Sequence, residues 1–325
     1  MSGGRVTSVD VARASGVSQS TVSLVFSGKA AGRVSAGTEA AVRAAATELG
    51  YRPNAAARAL KAGVARTVAL VVPDVTNPFF GPLLRGAQSA ARSAGYAVAL
   101  IDTANDRAWG AASAAALQAG PADGLMLMEV EPPPGTGEPI VTIESRARGH
   151  PSVQLDVEGG FEAVLDHLEG LGHTRFAHLA SAVLAPTFRR RERVLDRRLG
   201  EGLVRVRADI ALEAGRAATL DLLHSHPDRT ALVCDDDVLA AGACLAAREL
   251  GLAIPGGISV TGFDDLDLAR VLDPPLTTVA ADAEALGAAA FALLAARMVG
   301  RRPRSRTLPV ELVVRGSTGP PRRGT

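Results

Sequence analysis

An all-α head carrying a helix-turn-helix, in series with an α/β core built on parallel sheets, is the fold class the sequence predicts. Three observations carry that reading. The first fifty residues hold short amphipathic segments punctuated by glycine. From Thr67 onward, short apolar runs alternate with longer helical patterns. Charge divides at the same boundary: residues 1–62 carry eight Lys/Arg against three Asp/Glu, and the rest carries 27 against 31. A basic module ahead of a mildly acidic body suits a surface that faces phosphates.

The head comes first. Thr7 to Phe26 reads as two short helices, with Ser8 as the expected first cap and Val9, Val11, Ala12 and Ala14 as the buried side. Gly16 permits the left-handed backbone that ends a helix. Ser18 can accept from a free amide at the start of a second helix, Gln19 to Phe26. Val22 and Val25, spaced i, i+3, face the first helix, which leaves Gln19, Ser20, Ser23 and Leu24 outward. A third helix follows Ser35, with Ala41, Val42, Ala45, Ala46 and Leu49 as its apolar stripe. Pro53 interrupts the pattern, and Asn54 to Leu60 is a short Ala-rich helical segment, marginal in isolation.

The body follows in order. Val68–Val72 is a wholly apolar run of the kind found in buried parallel strands. A turn at Asp74–Pro78 leads into a helix over Phe79–Gly95. A strand at Ala97–Ile101, a helix at Trp109–Ala119, and strands at Gly124–Met128 and Ile140–Ile143 continue the alternation, with a proline-rich loop at Glu131–Gly137. A helix at Gly159–Gly170 opens a second series, with strands at Phe176–Leu179, Ala231–Val233, Ser259–Thr261 and Leu308–Val314. Such alternation implies parallel sheets covered by helices on both faces.

Composition narrows the classes. At 325 residues and 47% hydrophobic, the chain can bury a large core, but with 3% aromatics that core is Ala, Val and Leu. Cys234 and Cys244 show neither CxxC pairing nor metal-ligand spacing, so a reduced chain is expected. The N-terminus lacks a signal-peptide core, and no apolar run reaches membrane-spanning length, so a cytoplasmic location and no membrane partner are expected.

The ordered set Val11-Ala12, Gly16-Val17-Ser18, Ser20-Thr21-Val22-Ser23, Val34-Ser35, Leu49-Gly50-Tyr51-Arg52-Pro53-Asn54, Ala57 and Leu60 resembles the DNA-binding head and hinge of the LacI/GalR family. The core continues the resemblance through Pro73-Asp74, Asn77-Pro78-Phe79-Phe80, Asp123-Gly124-Leu125, Asp236-Asp237-Val238, Gly262-Phe263-Asp264-Asp265 and Pro275-Leu276-Thr277-Thr278-Val279. The resemblance spans about residues 6 to 318. It implies two Rossmann-like lobes resembling periplasmic sugar-binding proteins, with a ligand in the cleft. The implied domains are residues 1–50 as head, 51–65 as hinge, 66–318 as core and 319–325 as tail. Lobe 1 is about 66–157 plus 282–307, and lobe 2 is about 158–281 plus 308–318.

The resemblance also implies roles. Thr7, Ser18, Gln19, Ser20, Thr21, Ser23, Asn54, Ala57 and Leu60 fall at DNA-contacting positions, Leu60 as a wedge in the minor groove. Asn77, Phe79, Phe80, Arg191, Asp236 and Asp264 fall at effector-binding positions. Carboxylates accept from hydroxyls and arginine donates a planar fork, which suits a sugar or related polyol. Leu24 stands where many members carry an arginine, Ile210 where many carry a stacking aromatic, and Asp236 where asparagine is usual. The departures at Ile210 and Asp236 leave a nucleoside, an acid or a cationic polyol open as effector, and Leu24 implies an operator that differs at that base. Trp109 is read as helix packing, with a cavity wall as the alternative.

The expected function is a homodimeric, sequence-specific transcriptional regulator, a repressor by family habit, that binds double-stranded operator DNA and a small effector. No cofactor, metal or catalytic residue is expected. Asp235, Asp236 and Asp237 with Asp264 and Asp265 could be imagined as an acid or metal site. Consecutive side chains point in different directions, however, and no Ser-His-Asp order, HExxH or phosphate loop accompanies them. A regulator without an effector and a solute-binding module are the remaining alternatives.

Overall fold

The computed structural model describes residues 6–51, 65–118, 122–132 and 139–322. The chain divides into two compact units, residues 1–65 and 66–325.

The first unit packs three helices, α1 (Ser8–Ser15), α2 (Gln19–Phe26) and α3 (Ala36–Glu48). Local chemistry sets each boundary. Thr7, not Ser8, caps α1: the Thr7 backbone N–H and hydroxyl both donate to Asp10 Oδ2, at 2.9 and 2.7 Å. An acid three residues past the cap favours Thr7, because a capping box needs that reciprocal partner. Gly16, at φ 69°, closes the helix. Ser18 Oγ accepts from the Thr21 N–H at 3.1 Å, and Ser35 Oγ from the Thr38 N–H at 3.1 Å. The core is small: Val11, Ala12, Val22, Val25, Ala30, Val42, Ala45 and Ala46, flanked by the Phe26–Tyr51 ring pair. Val9, Ala14, Ala41 and Leu49, read from the sequence as buried, lie on the surface. Three short helices packed around one small core bury a stripe narrower than the full apolar arc of each.

The second unit holds two six-stranded sheets. In the first, β1 (Thr67–Val72), β2 (Ala97–Asp102), β3 (Leu125–Met128), β4 (Ile140–Ile143), β5 (Ser152–Leu155) and β11 (Arg306–Leu308) run in the order β11-β5-β4-β3-β1-β2, all parallel. In the second, β6 (Phe176–Ser181), β7 (Val204–Ala208), β8 (Ala231–Cys234), β9 (Ser259–Asp264), β10 (Thr277–Ala280) and β12 (Glu311–Val313) run β12-β10-β9-β8-β6-β7. Only β12, paired with β10, is antiparallel.

Helices cover both sheets: α4 (Phe80–Ser93), α5 (Arg107–Gln118), α6 (Val157–Gly170), α7 (Pro186–Leu199), α8 (Leu212–Ser225), α9 (Asp237–Glu249), α10 (Asp267–Val271) and α11 (Ala283–Met298). The chain passes between lobes after β5, after β10 and between β11 and β12. This last passage corrects the single strand expected over Leu308–Val314. Pro309 has no N–H to continue a ladder, so the segment splits and serves one sheet on each side. Strand β5 was not legible because Ser152 and Gln154 interrupt its apolar run, although both are buried here. In lobe 1, α4 and α11 meet at two glycines. A Cβ on Gly287 would sit 2.0 Å from the Leu83 carbonyl oxygen, and one on Gly86 1.9 Å from that of Glu284. The boundary drawn at residue 318 cuts through lobe 2, because Gly319 is buried and its carbonyl accepts from Ser259 Oγ at 3.1 Å.

Candidate functional site

Two surfaces carry the sequence-expected residues. In the head, α2 presents Gln19, Ser20 and Ser23 to solvent and contains no charged residue. Its start is tied down twice. Ser18 Oγ lies 2.9 Å from Thr21 Oγ1, and Gln19 Nε2 donates to Ser8 Oγ at 3.0 Å. The face is therefore a polar, uncharged set of donors and acceptors, of the kind that reads base edges when a helix enters the major groove. Thr7 and Ser18 spend their hydroxyls partly on helix caps. Asn54, Ala57 and Leu60 lie outside the described residues.

In the second unit, a cavity of about 180 Å³ opens at the C-terminal ends of the strands of both lobes. Open α/β sheets take their ligands at this edge. All six core residues expected from the sequence line it: Asn77 and Phe79 from the β1–α4 turn, Phe80 from the start of α4, Arg191 from α7, Asp236 after β8 and Asp264 at the end of β9. Each is held by its local structure. Asn77 Oδ1 accepts from the Phe79 N–H at 2.9 Å, and the two phenyl rings meet edge to face at 5.6 Å. The Arg191 guanidinium is buried over the Phe263 ring, 3.7 Å from its centroid, and donates to the Asp235 carbonyl. A desolvated cation on an aromatic face is favourable. Asp236 caps α9 through Oδ1, which accepts from the Leu239 N–H at 2.9 Å. Asp264 adopts φ 106°, a conformation rare for a residue with a side chain, found where the surroundings over-determine it.

The sequence reading missed several lining residues, Glu144, Asp209, Thr187 and Phe188 among them. Glu144 follows β4 directly and Asp209 follows β7 directly, at the same strand-end edge where Asp264 closes β9. Glu144 is buried, and its Oε1 accepts from the Leu155 N–H. Burial pushes its carboxyl up to about 7, against the pull of that hydrogen bond, of Arg190 and Arg191, and of the Thr187 side chain. Burial likewise pushes Asp264 up to about 7 and Asp236 up to about 6, with Arg191 acting in the opposite direction on both. Three buried polar atoms at this cleft have no hydrogen-bond partner among the described residues: Glu144 Oε2, Asp236 Oδ2 and Arg191 Nε. Native proteins rarely bury such atoms unmatched, so their concentration in one cavity points to a ligand.

Trp109 corrects its expectation on both counts. It is 57% exposed on α5 and does not line the cavity. A short Ala-rich helix turns that face to solvent. Ile210 does line the cavity. The three consecutive acids diverge. Asp235 receives the His178 Nε2–H at 3.0 Å and the Ser181 N–H at 2.8 Å, whereas Asp237 receives the Thr278 hydroxyl at 2.6 Å and the Leu266 N–H at 2.7 Å. Among the described residues no three His, Cys, Asp or Glu side chains converge as a metal would require. No helix among them is long and apolar enough to cross a membrane.

A helix-turn-helix unit ahead of a two-lobed, cleft-bearing core defines a ligand-responsive, DNA-binding transcription regulator. Residues 8–54 match the bacterial regulatory proteins of the lacI family, and residues 165–318 match the periplasmic binding protein-like domain. The HTH-type transcriptional repressor CytR of Escherichia coli K12 is 32% identical over 327 residues, covering 95% of both chains. The crystal structure of the lac repressor dimer bound to operator and the anti-inducer ONPF superposes with a TM-score of 0.84 at 27% identity, covering 97% of this chain and 99% of that one. A LacI family regulator from Enterococcus faecium with bound ribose matches 78% of this chain and 99% of its own at TM-score 0.70 and 25% identity. This chain belongs to the lacI family of bacterial regulatory proteins.

Proposed function

We propose that this protein is a homodimeric repressor, located in the cytoplasm, that binds a two-fold operator and changes its grip when a small polar effector enters the cleft. The observation that carries the reading is the pairing of an exposed, uncharged polar helix face in the head with a cavity holding three unmatched buried polar atoms. The first surface reads bases and the second holds a small molecule. Gln19, Ser20 and Ser23 reach base edges, and Thr7, Ser18 and Thr21 meet phosphates and fix register. Asn54, Ala57 and Leu60 belong to the hinge, with Leu60 as the minor-groove wedge. Arg191, Asp236 and Asp264 orient the effector, and Phe79 and Phe80 supply the apolar wall. Effector binding closes the lobes and shifts the first lobes of the dimer against each other. A coupling of about 1–3 kcal/mol makes a useful switch. No catalytic step is assigned to these residues.

The test is selection of genomic fragments by the purified protein, followed by sequencing of those retained. Enrichment of one short near-palindrome, released by a metabolite from the neighbouring gene products' chemistry, is the expected result. Retention without sequence preference at moderate salt contradicts it. Operator affinity unchanged by Leu60→Ala removes the wedge from the mechanism.

A further inference from the structure

The charge of the cleft is one-sided. Asp74, Glu129, Glu144, Asp209, Asp236 and Asp264 line it, and among the described lining residues Arg191 is the one cation. Arg191 is already committed in part: one amino group donates to the Asp235 carbonyl and its face rests on Phe263. Arg190 comes no nearer to Glu144 Oε2 than 3.6 Å and spends another amino group on the Leu155 carbonyl. Glu144 and Asp236, both at least nine-tenths buried, each keep one oxygen with no hydrogen-bond partner among the described residues. Glu144 is ion-paired with Arg190 but not hydrogen-bonded through that oxygen, and a buried carboxylate with an unfilled acceptor is costly to keep out of water.

We infer that the cleft selects an effector bearing a protonated amine on a hydroxylated body of about one ring, an amino sugar or amino polyol rather than a neutral sugar. The inference rests on the proposed effector role of this cavity. Two orphan carboxylate oxygens call for donors, and an ammonium brings three together with the missing positive charge. A hydroxyl and an ammonium alike make a charge-assisted bond to a carboxylate, but only the ammonium adds the Coulomb attraction of an opposite charge. A neutral polyol offers donors but adds no positive charge to a cleft lined by six acids and one arginine. Arg191 Nε, also buried and unmatched, calls for an acceptor on the same ligand, which a hydroxyl or ring oxygen supplies. Size agrees: a cavity of about 150 Å³ takes a benzene ring, and this one measures about 180 Å³.

The experiment is calorimetric and thermal-shift titration of the full-length protein with matched sets: D-glucosamine, D-galactosamine and D-mannosamine, each against its parent hexose and its N-acetyl form. At least one amine is expected to bind about tenfold or more tighter than both neutral counterparts, and to weaken as salt rises. Glu144→Gln and Asp236→Asn should each reduce that preference to under about threefold. The wild-type comparison stands even where a variant fails to fold. Equal or tighter binding of the neutral member in every set overturns the inference, as does binding of no amine at all. Operator release by a neutral or acidic metabolite would then keep the effector role and discard the amine. Absence of release by any metabolite class would discard both.

Discussion

The head and the cleft solve opposite problems. The head's base-reading residues, Gln19, Ser20 and Ser23, are exposed and neutral, and they sit on one eight-residue helix whose start is held by the Ser18 cap and the Gln19–Ser8 bond. The cleft's polar working residues include the charged Arg191, Asp236 and Asp264, largely withdrawn from solvent, and the site is assembled from strand ends and helices spread from Asn77 to Asp264. A surface meant for a solvated, repetitive polymer can be built locally, because water satisfies its polar groups until DNA arrives. A site for one small molecule must exclude water first, and so it leaves polar atoms unmatched. The difference teaches where each region is vulnerable: the head through its small core, the cleft through its electrostatics.

Arg191→Ala should have the largest effect. It removes a buried cation from beside Asp236 and Asp264 and leaves the Asp235 carbonyl without that donor. Removing one member of a buried charge cluster costs about 3–5 kcal/mol, so urea unfolding of the core and effector binding should both suffer. Head-only DNA contacts should survive. A loss below about 1 kcal/mol would mean that the guanidinium is not buried as described.

Glu144→Gln tests the cleft through pH. Burial raises the Glu144 carboxyl to about 7 in the folded chain, so between its ordinary range and about 7 the folded state holds a proton that the unfolded chain releases. Its contribution is fully present below the unfolded value and is lost as pH rises through about 7. The variant should gain on the wild type by about 3 kcal/mol between pH 4.5 and 8, measured by urea unfolding at both ends. A difference independent of pH would contradict the burial.

Val42→Ala probes the head. Its core has eight buried apolar residues, and truncating one costs about 2 kcal/mol. Operator binding should fall while effector binding to the core keeps its affinity. Equal loss in both would show that the two regions do not fold independently. Ser18→Ala is the mildest change. It removes the cap on the Thr21 N–H and should cost about 1 kcal/mol, read as a lower melting temperature of the head. A neutral result would assign Ser18 to DNA contact alone.

The same contrast explains what was legible. In the head, Gly16, Ser18, Val22 and Val25 announce two capped helices within a twenty-residue window, and the structure follows them. Where the reading slipped, at Ser8 instead of Thr7 and at Val9 and Leu49 as core, the deciding facts were a reciprocal acid and the narrowness of a three-helix contact. In the core, apolar runs marked most strands, but β5 hid behind Ser152 and Gln154, and one expected strand proved to be two. Six cleft residues were found through family resemblance. Glu144 was passed over, although it ends a strand that had been recognised.

By itself, then, the sequence determined the order of units, the capped helices of the head, the alternation of the core and the polar face of α2. These rest on neighbours in the chain, whose spacing and chemistry are visible in one dimension. Only the tertiary structure decided which carboxylates share a cavity, which oxygens go unmatched, where the chain crosses between sheets and how far Glu144 and Asp264 are shifted. Burial and Coulomb interactions depend on distances in space, and residues such as Glu144, Arg191 and Asp264 become neighbours only after the two lobes have closed around the same small volume.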